Sequence, residues 1–156
     1  MFELNLLPKQ ADNRYQGNRY ALWFFVAFLL LMTWRSIIHM LFEETGYFDI
    51  AKFVLLVGEP DPMPVVFRFF SLWGFAQLIF CMVCWLVVFR YRSLIPLMYL
   101  FWLFEWTGRL WLYPLIREDL ISTGIYTNGL TPGVSGAPFV FGLLIFFFAL
   151  SIKRAG

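Results

Sequence analysis

The sequence predicts an all-α membrane protein: a polytopic four-helix bundle with both termini cytoplasmic and a short interfacial helix between helices 1 and 2. Three observations carry that prediction. The chain of 156 residues is 61% hydrophobic and only 14% charged, where a water-soluble domain carries about a quarter charged residues. Its apolar residues fall into four long stretches, each free of acid runs and bounded by turn-forming or charged residues. Its lysines and arginines gather at alternate ends of those stretches. An aromatic content of 22%, including 20 Phe and 7 Trp, suits lipid contact and interfacial belts. A net charge of +2 gives no footing for nucleic-acid binding.

Residues 1–19 form a polar cytoplasmic segment with Lys9, Arg14 and Arg19, in which Pro8 and Gly17 discourage a long helix. It does not read as a cleavable signal peptide, because the apolar run begins only near Tyr20 and no small-residue cleavage motif follows. The transmembrane domain then occupies residues 20–156. Its first span, 20–42, is apolar except for Arg35 and His39, and is long enough to cross roughly 30 Å of hydrocarbon. The connection 43–66 is acidic. Within it, the apolar run 48–57 is too short to span and reads as an interfacial or re-entrant helix, stopped by the Gly58 to Pro64 turn.

The second span, 67–89, has Arg68 at its entrance and Gln77 near its middle. A basic turn, Arg90-Tyr91-Arg92-Ser93, leads to the third span, 94–115, with Pro96 in its first turn, where proline is tolerated. Residues 117–137 are rich in Gly, Thr, Pro and Ser and read as an irregular connection. The fourth span, 138–152, carries no charge and ends at Lys153-Arg154. Positive residues before span 1, between spans 2 and 3 and after span 4 place those ends in the cytoplasm and the two long connections outside. The expected location is a bacterial inner membrane.

Ionisable groups inside such spans are costly unless paired, hydrated or neutralised. At 1.5 Å per residue, Arg35 and Arg109 both lie roughly 22 Å from the cytoplasmic end, with Glu105 about 16 Å in and Gln77 at a similar mid-depth. Arg35, His39 and Glu43 repeat every four residues, and Glu105 and Arg109 are likewise four apart, so each set makes one helical stripe. The expected site is therefore a polar cluster of Arg35, His39, Glu43, Gln77, Glu105 and Arg109. In it Glu105 neutralises an arginine, Glu43 orients His39, and Gln77 and Glu105 floor an outward-open pocket. A purely structural ion-pair lock between helices accounts for the same residues equally well.

Other chemistries lack their motifs. There is no nucleophile elbow, phosphate-binding loop, dinucleotide fingerprint or c-type haem attachment. One histidine cannot supply the pair of axial ligands a haem b takes between helices, and no metal site is expected. Cys81 and Cys84 lie inside an apolar helix, where small buried thiols are the simpler reading than a redox pair. Trp34, Trp73, Trp102, Trp106 and Trp111 read as packing and lipid contacts.

Two stretches carry a resemblance. Residues 34–42 with Gly46-Tyr47-Phe48-Asp49-Ile50-Ala51, and residues 90–98 followed by Glu105 and Gly108-Arg109, resemble helices 1 and 3 of small bacterial DoxX-like membrane proteins. That resemblance implies a compact four-helix bundle and a link to quinone-coupled complexes or lipophilic ligands. The redox-active cysteine arrangement of some relatives does not match Cys81 and Cys84.

The functional expectation is a small accessory or binding subunit that binds a lipid or quinone-like molecule or stabilises a larger membrane complex. No cofactor is required by the sequence; its partners are the bilayer and other membrane subunits. The alternative is a membrane-embedded isomerase or oxidoreductase acting on an apolar substrate, with Glu105 as acid/base.

Overall fold

The computed structural model describes residues 6–118 and 136–153. Among them all regular structure is helical and no strand occurs. Helix α1 spans Arg19–Leu41, starting where the Asn18 side chain accepts from the Tyr20 amide at 2.8 Å. Its interior holds neither Gly nor Pro. Helix α2 spans Met63–Arg90, α3 Ile95–Thr107, α4 Tyr113–Ile116 and α5 Ala137–Ile152. A π-helical turn, Gly108–Leu112, joins α3 to α4 without a break.

Two boundaries differ from the sequence expectation. Helix α2 begins at Met63, ahead of the expected start at 67, because Pro64 fits the first turn of a helix and the Asp61 carboxylate accepts from the Met63 amide at 2.9 Å. The expected interfacial helix over 48–57 is displaced. A π-helical turn covers Thr45–Ile50, and residues 52–58 are not helical. Lys52 takes a left-handed φ of 55°, which stops the turn. The Phe53 amide then donates back to the Tyr47 carbonyl (3.1 Å), and the Tyr47 hydroxyl donates to the Val54 carbonyl (3.0 Å). Docking Phe53 and Leu56 around Tyr47, Met63 and Phe70 outweighs the weak stability of a ten-residue helix.

Helix α1 packs chiefly on α2, while α5 packs on α3 and α1. The α1–α2 seam is set by small residues. Gly74 lies so close to α1 that a Cβ there would stand 2.7 Å from the Met40 nitrogen and 2.8 Å from His39 backbone and side-chain atoms. Around that contact, the Ser71 hydroxyl donates to the Met40 carbonyl (2.7 Å), Ser36 to Gln77 Oε1 (3.1 Å) and the Trp85 indole to Thr33 Oγ1 (3.0 Å). Interhelical bonds of this kind contribute roughly 0.6–2 kcal/mol each in hydrocarbon. Cys81 and Cys84 continue the same face as buried free thiols.

Residues 12–18, the α2–α3 turn and the end of α5 meet at one end of the molecule. Ser93 and Asp12 bond reciprocally: the Asp12 amide donates to Ser93 Oγ (2.9 Å) and the Ser93 amide to the Asp12 carbonyl (3.2 Å). The Asn18 amide donates to the Leu150 carbonyl (3.1 Å). Helices α1 and α2, at 23 and 28 residues, are long and apolar enough to cross a membrane. Only 33% of each apolar window is buried within the molecule. Side chains such as Trp23, Leu30, Leu31, Phe69 and Phe89 point outward, a surface that hydrocarbon solvates and water does not.

Candidate functional site

Arg35 and His39 of α1 and Arg109 of the π turn after α3 converge on one ring, that of Trp73 on α2. Arg35 and His39 stand four apart on α1, so both reach the same face of α2. The His39 ring stacks on Trp73 at 5.0 Å and 25° and touches Phe70 at 4.7 Å. The Arg35 guanidinium carbon lies 5.4 Å from the Trp73 ring centre, and that of Arg109 lies 5.1 Å from it. Arg109 also approaches Trp106 at 5.8 Å. Cation–π contacts strengthen when water is excluded, to about 2 kcal/mol, so one indole holds two guanidiniums that would otherwise repel.

Glu105 pairs with Arg109 along the same helix, one turn away. Their side chains are partly buried, and the second carboxylate oxygen, Oε2, is buried without a hydrogen-bond partner. Arg109 lies at the start of the π turn that follows α3. Such turns place an extra residue in the helical repeat and rotate the face that follows.

His39 is fully buried, and neither ring nitrogen has a hydrogen-bond partner. Two glycines make its niche: beside Gly74, a Cβ on Gly46 would meet His39 Cδ2 at 2.7 Å and Phe70 Cε1 at 2.8 Å. Gln77, one turn beyond Trp73 on α2, accepts from Ser36 and leaves its amide nitrogen unpartnered. A buried donor or acceptor left unpaired costs about 1–3 kcal/mol. The site thus concentrates unspent hydrogen-bonding capacity in His39, Gln77 and Glu105.

Glu43 does not orient His39. Helix α1 ends at Leu41, and Phe42 leaves helical geometry with φ −133° and ψ 59°, which breaks the four-residue stripe before it reaches Glu43. Glu43 instead lines a separate open cavity of about 610 Å³ with Glu44, Asp61, Arg68 and Ser71. The pocket beside the cluster also differs in kind from the expected polar one. It is a mainly apolar cavity of about 460 Å³ between the 45–57 connection and α2, lined by Tyr47, Phe53, Leu56, Val66, Phe69, Phe70 and Trp73. Neither Gln77 nor Glu105 lines it. Burial holds the Tyr47 phenol above its ordinary value, so it remains a donor to Val54.

Five of the six expected residues therefore lie around one aromatic wall or a turn from it, and Glu43 does not. Sequence reasoning assigned Trp73 to packing and lipid contact and gave Phe70, Gly46, Gly74 and Ser36 no place in the site. A usable signal existed: Trp73 precedes Gln77 by four residues, and Gly74 adjoins it. Among the described residues no three His, Cys, Asp or Glu side chains are grouped to hold a metal ion. No family model, curated protein or solved structure matches the chain.

Proposed function

We propose that this chain is a small DoxX-like subunit of a bacterial inner membrane, crossing it four times with both termini in the cytoplasm. We read it as a binding or accessory protein that holds a lipid or quinone-like molecule, alone or within a larger membrane assembly. The observation that carries this reading is the 460 Å³ aromatic cavity, whose wall residue Trp73 also packs against a partly buried polar cluster. Its volume falls in the roughly 300–1,000 Å³ range of small-molecule sites, which pair apolar walls with a few convergent polar groups.

Four spans are supported by the unbroken helical run from Ile95 through Ile116 and by the 16-residue apolar helix α5, in addition to α1 and α2. The test is extraction of the tagged chain from native membranes, with mass spectrometry of its bound organic molecules and neighbours. Wild type should retain a lipophilic molecule that Val66→Trp, which fills the cavity, loses. Equal retention by the two proteins would overturn the assignment of the site.

The alternative is a membrane-embedded isomerase or oxidoreductase, favoured by one observation, the buried unpartnered Oε2 of Glu105. On that reading Glu105→Gln abolishes turnover of an apolar substrate while leaving its binding intact.

A further inference from the structure

The cavity and the cluster differ in chemistry but share a wall. Tyr47, Phe53, Leu56 and Phe69 offer only ring and alkyl surface to an occupant, apart from a Tyr47 hydroxyl already donating to Val54. Trp73, the shared residue, has two guanidiniums within 5.4 Å of its ring centre. The carboxylate at that level is Glu105, committed to Arg109. His39, fully buried beside the same indole, brings two further unpartnered nitrogens. Among the described residues, two cations against one anion leave one positive charge uncompensated in a partly desolvated place, which an anion of single charge would balance.

We propose that the ligand is a single-chain monoanionic amphiphile. Its apolar part lies among Phe53, Leu56, Phe69 and Phe70, and its anionic head is held at Trp73 by Arg35, with Arg109 assisting from its pair with Glu105. The proposal rests on the binding reading above and adds the charge and form of the ligand. Arg35 is the discriminating residue because, among the described residues, no carboxylate bonds it, which leaves its planar donors for a carboxylate or phosphate head.

The test uses the full chain in phosphatidylcholine nanodiscs and three spin-labelled probes: stearic acid, its methyl ester and phosphatidylglycerol. Electron paramagnetic resonance reads the motionally restricted fraction of each. At a pH where the acid is ionised, stearate should be selected over its ester by at least about tenfold, the low end of one charge-assisted hydrogen bond. Arg35→Gln should remove that preference while keeping ester binding, and Val66→Trp should remove both. Equal binding of acid and ester by wild type overturns this proposal and leaves the binding reading standing. Binding of neither probe overturns this proposal and leaves the binding reading to the extraction experiment above. Phosphatidylglycerol selected as strongly as stearate would assign recognition to the outer surface and overturn the placement of a single chain in the cavity. The acid-to-ester ratio of wild type is decisive even if a variant fails to fold.

Discussion

At the scale of single residues, the site depends on where side chains are missing as much as on where they are present. Gly74 lets the α2 backbone meet His39 and Met40, and Gly46 lies close against the His39 ring. Gly142 has open space around its Cβ position. Gly74→Ala should therefore destabilise the protein by about 1–3 kcal/mol, the usual cost of overpacking, because backbone atoms have nowhere to go. Gly142→Ala should be neutral or stabilising by up to about 1 kcal/mol, through lower entropy of the unfolded chain. Thermal unfolding in detergent, read by circular dichroism, compares the two; equal stability would show that the α1–α2 seam is looser than its geometry. Trp73 is a different case. Composition makes a tryptophan in such a chain an ordinary lipid contact, and only its neighbours His39, Arg35 and Arg109 give it a role.

At the scale of elements, residues 12–18 form a clasp. Ser93 holds Asp12 by backbone and side-chain bonds, and Asn18 reaches Leu150. Ser93→Ala removes the hydroxyl that both accepts from and donates to Asp12. Amide protection of residues 12–18 should fall by roughly tenfold, the equivalent of one hydrogen bond of about 1 kcal/mol or slightly more. The Asp12 carboxyl itself is held below its ordinary value of 3.8 by hydrogen bonds from the Arg14 side chain and amide. A lowered carboxyl contributes fully above its ordinary value and loses that contribution as pH falls through the lowered one. Hydrogen-exchange protection of the segment should thus be flat from pH 8 to about 5 and decline only in stronger acid. A decline near neutrality would mean that another group controls the clasp.

At the scale of the whole molecule, the clasp puts residues 12–18, the basic α2–α3 turn and the end of α5 together, and these and the adjoining helix ends carry Arg14, Arg19, Arg90, Arg92 and Lys153. The opposite end holds Glu43, Glu44, Asp61 and the apolar cavity near the start of α2. This polarity is what the positive-inside rule acts on. A fluorescent protein fused after Lys153 should fluoresce in the cytoplasm, and alkaline phosphatase inserted after Gly58 should be active in the periplasm. An inactive phosphatase at position 58 would reverse the orientation and move the cavity to the cytoplasmic face.

The first two spans, read at 20–42 and 67–89 and found as helices over 19–41 and 63–90, and the residues whose charge is out of place inside apolar segments, were legible from the chain alone. Hydropathy and helix length are local sums, and a charge in an apolar run is anomalous wherever the helix packs. The partners of those charges were not legible. Glu105 takes Arg109 on its own helix, Gln77 takes Ser36, and Glu43 leaves the cluster because Phe42 turns the chain out of α1. Each outcome depends on helix rotation, on two close glycine approaches and on one non-helical residue. Periodicity carries none of these. The same holds for the 45–57 connection, whose apolar run was read as a helix but docks around Tyr47 to wall a cavity. An apolar run specifies that it will be buried; the surface it meets decides the conformation in which it is buried.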